Sequence, residues 1–146
     1  MIQNRLIFGL LSSLLILLGS SIVLASAGQG AKTKMKEMER YMAGTDFGKH
    51  LGRTAGEFIA TVPYRYKSYY PLHEPPGKLR GFLFEFDENY VIEVYVDKLR
   101  HTKLFSDRGK WDLKDFLKER ISAIVVQKYG GQPFRRVFPE GWIENP

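Results

Sequence analysis

His50, His73 and His101 are the side chains best suited to bind metal or move protons at neutral pH, and they lie in three separate segments. No two stand four residues apart and no H-E-x-x-H motif occurs, so nothing places paired imidazoles on one helical face. Asp97 and His101 could meet at the end of a strand, but two ligands fall short of the three or four that zinc takes. A surface histidine is the simpler reading of His101. Glu85 and Glu93, on facing strands of a predicted hairpin, are the nearest thing to a carboxylate pair. Like charges there are usually tolerated by solvation rather than used as an acid–base dyad.

The chain has no cysteine, which excludes disulfides, thiolate metal sites, thiol catalysis and a lipoprotein acylation site. G-x-S-x-G, the P-loop and the dinucleotide glycine pattern are also missing. The sequence therefore predicts no enzyme, no cofactor and no metal site, and it identifies no small-molecule substrate.

Binding chemistry is better represented. Tyr64, Tyr66, Tyr69 and Tyr70 interleave with Arg65 and Lys67, a pattern that could stack on single-stranded nucleic acid or sugar. With no nucleotide-binding signature beside it, the stretch reads as a tyrosine-rich edge strand, and no nucleic-acid partner is expected. The tail QPFRRVFPEGWIENP is aromatic and basic, and Arg and Trp dominate interface energetics. Arg135, Arg136 and Trp142, joined by Tyr64 and Tyr66, are the predicted partner contacts. The alternative for Trp142 is a clasp back onto its own core.

The elements that must hold these residues follow from periodicity. Phe82, Phe84 and Phe86 alternate on one run and Ile92, Val94 and Val96 on the next, with Asp87-Glu88-Asn89 between them. That is a hairpin, with Asn89 suited to a left-handed turn position. Its opposite face mixes Leu83, Glu85, Val91, Glu93, Tyr95 and Asp97, which predicts partial cover. Leu113, Phe116, Leu117, Ile121, Ile124 and Val125 fall at helical spacing after Asp112, a candidate N-cap, with Asp115 in the first turn and Gly130-Gly131 as the stop. Lys114, Lys118 and Glu119 lie outside that stripe. The spacing predicts an amphipathic helix over 112–129 lying across the Phe and Val face.

Upstream, residues 29–43 read as a helix with Met35, Met38 and Met42 on one stripe, most simply a packing stripe. Gly44, Gly48, Gly52 and Gly56 then recur every four residues. They form either a close-packing helical face capped by Thr45 or Asp46, or a loop. Thr61–Tyr70 reads as a strand that Pro63 confines to an edge, residues 71–77 as a loop, and Phe134–Phe138 as a further edge strand.

Leu6–Ala27 is a 22-residue stretch without a charge. At about 1.5 Å per residue it reaches roughly 33 Å, enough to cross a bilayer core. It is either a retained single-pass anchor or a signal peptide cut after Ala25-Ser26-Ala27. Lys32, Lys34, Lys36 and Arg40 just beyond it favour a cytoplasmic domain, whereas the A-x-A ending favours export; export is the reading adopted. The net charge of +6 allows an anionic partner, though solubility alone accounts for it.

Three segments are thus expected: an anchor or signal over 1–27, a helical stalk and Gly-rich helix over 28–60, and an α+β domain over 61–146. That domain should be a small antiparallel sheet, its hairpin near 79–100 flanked by edge strands, packed by the 112–129 helix. The functional expectation is an accessory or assembly subunit of a larger membrane protein complex, touching the bilayer through residues 6–27. The alternative is a secreted or periplasmic module for a polyanion, glycan or anionic lipid.

Overall fold

The computed structural model describes residues 30, 32–74, 77–106, 108–131 and 133–143. The apolar stretch 6–27 lies outside them; among the described residues no helix is long and apolar enough to cross a membrane. The chain divides between Arg40 and Tyr41 into two compact units. Residues 32–44 are helical (α1), and the division falls within that helix. Met38 and Met42 on its predicted stripe are buried, while Met35 is 36% exposed.

The second unit is α+β. A short 3-10 turn at Gly48–His50 leads to helix α2 (Ala55–Thr61) and strands β1 (Ser68–Glu74), β2 (Lys78–Glu85) and β3 (Tyr90–Tyr95). A one-turn helix α3 (Leu113–Phe116) and strands β4 (Ala123–Lys128) and β5 (Phe134–Phe138) complete it. The five strands form one antiparallel sheet in chain order, with β1 and β5 at its edges.

The hairpin is as its alternation predicts. Phe82 stands opposite Val94 and Phe84 opposite Ile92. Asn89 closes the turn with φ of 62°. β4 continues the same face, setting Ile124 beside Val94 and Val126 beside Ile92, and all six side chains are buried. Phe116 of α3 covers this face with its ring 4.4 Å from that of Phe82, and Phe58 of α2 packs edge-on to Phe47 at 5.9 Å. Burial of rings like these contributes about 2–3 kcal/mol each, so the helices are held by aromatic packing rather than by their length.

The predicted helix over 112–129 is corrected. Its start is right: Asp112 accepts the Lys114 backbone N–H at 2.8 Å and Asp115 lies in the first turn. It ends after one turn. Residues 120 and 121 pair with 52–54 through the Thr54–Arg120 bridge and the Ile121 N–H to Arg53 carbonyl bond, and the chain then becomes β4. A helix would bury only one stripe of Ile124-Val125-Val126. Extended between β3 and β5, all three are buried, and β-branched side chains suit that pleated environment. Gly130 and Gly131, both at positive φ, turn β4 into β5 rather than stopping a helix.

The glycine series is likewise not one helical face. Gly48 lies in the 3-10 turn, Gly52 in a loop at φ of 78°, and Gly56 in α2. Gly56 does serve a close approach. An added Cβ would meet the Leu117 carbonyl oxygen at 3.0 Å, the same oxygen that accepts the Gly56 N–H at 2.8 Å. The cap is Thr54, in a reciprocal box with Glu57, rather than Thr45 or Asp46. The tyrosine-rich edge strand exists but sits further along than predicted. Thr61 ends α2, and β1 runs through Pro71 to Glu74, where a loop was expected. An edge position tolerates the N–H that Pro71 lacks.

Candidate binding cleft beside the last strand

Among the described residues, β5 has β4 on one side and no strand on the other. Along its outer side runs an open cleft of about 630 Å³, lined by Asp46, Gly48, Leu51, Arg135, Arg136, Val137, Phe138, Pro139 and Glu140. Local chemistry builds the far wall. The Asp46 carboxylate accepts the Gly48 N–H at 2.8 Å, folding residues 46–48 back on themselves. The buried Phe47 ring then meets Phe138 at 5.8 Å, which fixes this loop against β5.

The two arginines have different tasks. The Arg136 guanidinium donates to the Thr45 carbonyl at 2.8 Å and the Met42 carbonyl at 3.3 Å, and lies 4.9 Å from the centre of the Phe138 ring. It is a brace. Arg135 alternates to the other face, opposite Gln127, and is exposed. Arg135 therefore offers a planar bidentate donor at the lip of the cleft, suited to a carboxylate or phosphate oxygen pair.

The other predicted contact residues are not gathered there. Trp142 is folded onto the second face of the sheet, its ring 4.6 Å from that of Tyr95, in a cluster with Ala123, Val125, Leu72 and Val137. The tail is thus a clasp on its own core. Tyr64 packs edge-on to Tyr41 at 5.6 Å, while Tyr66 packs on Phe84 at 5.3 Å and on Tyr69 at 6.1 Å beside β1. Both are half-buried, and neither lines the β5 cleft.

The acid pair reads as structural. The register sets Glu93 opposite Leu83 and Glu85 opposite Val91, so the two carboxylates are diagonal on one face. Glu85 accepts the Ser68 hydroxyl; Glu93 accepts the Tyr95 hydroxyl at 2.8 Å and the Gln127 amide at 2.6 Å. His50 is buried, with its ring 5.0 Å from Phe58. Burial, together with the Lys49 and Arg53 charges, holds it below the usual histidine range. His73 lies 5.5 Å from the Trp111 ring, and His101 and Asp97 are exposed. Among the described residues no three metal-ligating side chains converge.

One residue has a role that the sequence reading does not show. Glu119, outside the predicted stripe, is 1% exposed. Its carboxylate accepts the backbone N–H groups of Arg100 (2.8 and 2.9 Å), His101 (2.5 Å) and Thr102 (2.7 Å). Burial alone would raise its pKa, but these donors outweigh burial and hold it below the usual glutamate range. No local pattern signals this, because the donors are main-chain groups nearly twenty residues away.

Comparison with family models, curated proteins and solved structures finds no match for this chain.

Proposed function

We propose that this protein is a non-catalytic accessory subunit of a membrane complex, held by residues 6–27 and docking an extended segment of its partner along β5. The observation that carries the reading is the open β5 edge, lined by a cleft of about 630 Å³ with an exposed guanidinium at its lip. An edge strand offers main-chain donors and acceptors to a guest strand, while flanking side chains select its sequence. Arg135 selects for an acidic residue in that guest. The polar groups elsewhere support the same reading, since Glu93, Glu85 and Glu119 are each taken up by hydrogen bonds within the fold.

A photo-crosslinking amino acid at Glu140, in the full chain made in its own host, tests this. The expected product is one discrete heavier adduct, lost when Arg135 is replaced by Glu. No adduct from Glu140, with adducts from β1 positions instead, overturns the reading. Intact-mass measurement on the same material addresses the tether: loss of residues 1–27 favours the secreted module that Ala25-Ser26-Ala27 suggests.

A further inference from the structure

The connection between β3 and α3 carries Lys98, Arg100, Lys103, Arg108 and Lys110 against three acids, Asp97, Asp107 and Asp112, of which Asp97 and Asp112 stand at its two ends. All five cations are exposed, and none takes part in a salt bridge among the described residues. At the centre of this charge stand two adjacent apolar side chains turned to solvent, Leu104 at 42% and Phe105 at 55% exposure. Scattered exposed apolar residues are ordinary, but this pair sits on a built platform. Glu119 clamps the backbone of 100–102 from beneath. Trp111 Nε1 donates to the Lys103 carbonyl at 2.8 Å, Leu79 N–H donates to the Leu104 carbonyl at 2.9 Å, and Ser106 N–H donates to the Gly77 carbonyl at 3.1 Å. The fold thus fixes the main chain on both sides of Leu104-Phe105 while leaving their side chains in water.

We infer that residues 98–106 and 108–111 form a membrane-surface contact, in which Leu104 and Phe105 enter the interfacial layer of a bilayer and the surrounding cations engage anionic lipid head groups. The charge is complementary to an anionic leaflet, and the apolar pair at its centre distinguishes a lipid surface from a soluble polyanion. Holding the loop in shape beforehand removes the ordering cost that a flexible loop would meet on insertion. The contact is independent of the β5 cleft and does not require residues 6–27 to be retained.

The test uses the full chain in nanodiscs, with Lys103→Cys carrying an environment-sensitive fluorophore; the absence of native cysteine makes the label unique. A second protein labelled through Tyr129→Cys is the control. The expected result is a blue shift and quenching by doxyl lipid at position 103 on discs containing phosphatidylglycerol, with neither on pure phosphatidylcholine and neither at position 129. Arg100→Gln and Lys110→Gln should each lower the ratio of engaged to free loop by about five-fold. Leu104→Ser with Phe105→Ser should abolish the shift, while the thermal midpoint stays unchanged. Equal signals on the two lipids, no signal on either, or a full shift in the double serine variant each overturn the inference. So does a response to heparin in the absence of any response to anionic discs.

Discussion

Replacing Glu119 by Gln isolates one charge at the base of the 98–111 connection. The carboxylate accepts N–H groups from three consecutive residues, and hydrogen bonds to a charged acceptor contribute about 1.5–3 kcal/mol each when buried. Arg100 and His101 are exposed, so water can recover part of what their N–H groups lose, whereas Thr102 is 9% exposed and cannot be rehydrated as freely. A glutamine keeps one acceptor oxygen but turns an NH₂ towards a donor. The expected cost is therefore about 2–3 kcal/mol, a large share of a small domain's stability. Guanidinium unfolding of the full chain at pH 7 measures it. The pH dependence supplies an independent check. Because the native pKa lies below the unfolded value of 4.5, the stabilisation is present above pH 4.5 and is lost as pH falls through the native value. That acid-induced loss should flatten in Glu119→Gln. A variant within about 0.5 kcal/mol of the parent at pH 7, with the same acid profile, would refute the clamp.

Four further outcomes follow from the same geometry. Gly81→Ala places a Cβ 2.2 Å from the Val94 carbonyl oxygen, so β2 must move, and unfolding should show a loss of about 3 kcal/mol; an unchanged midpoint contradicts the register. Arg136→Ala should cost about 1–2 kcal/mol by freeing the Met42 and Thr45 carbonyls, whereas Arg135→Ala should leave stability within about 0.5 kcal/mol and reduce only the crosslinked adduct. His50 is held below its unfolded pKa of 6.5, so its contribution is intact above pH 6.5 and declines as pH falls through the native value; His50→Phe should remove that slope from a stability–pH curve. Trp142→Ala should cost about 2 kcal/mol, less than for a fully buried ring, because the indole packs on Tyr95 at 4.6 Å yet keeps part of its surface in water, and guanidinium unfolding measures it.

What the sequence reveals here depends on how local each cause is. The hairpin is legible because Phe82, Phe84, Ile92 and Val94 alternate, and Asn89 adopts the left-handed conformation its type favours. Phe134–Phe138 is legible as an edge strand for similar reasons. β4 was hidden because Ile121, Ile124 and Val125 satisfy a helical stripe, and a central strand covered on both faces loses the alternation that would identify it. β1 starts seven residues and ends four residues later than the sequence predicts, because its bounds are set by pairing with β2, which the composition of residues 71–77 does not signal. Arg135 and Arg136 were visible as cations, yet only the register separates the exposed one from the brace. Glu119 was illegible because its partners are peptide groups, which carry no sequence signature.

Arg136 of the final strand reaches Met42 and Thr45, and Phe138 meets Phe47, so the opening and closing stretches of residues 41–143 are neighbours in space. A gene rewired to join those stretches through a short linker and opened instead at Asp87–Asn89 should yield the same sheet, because that turn joins two strands already paired along their length. Such a permutant would move the peptide break into the hairpin and leave the β5 lip closed upon itself. It would thereby separate what the strand order supplies from what the point of attachment supplies.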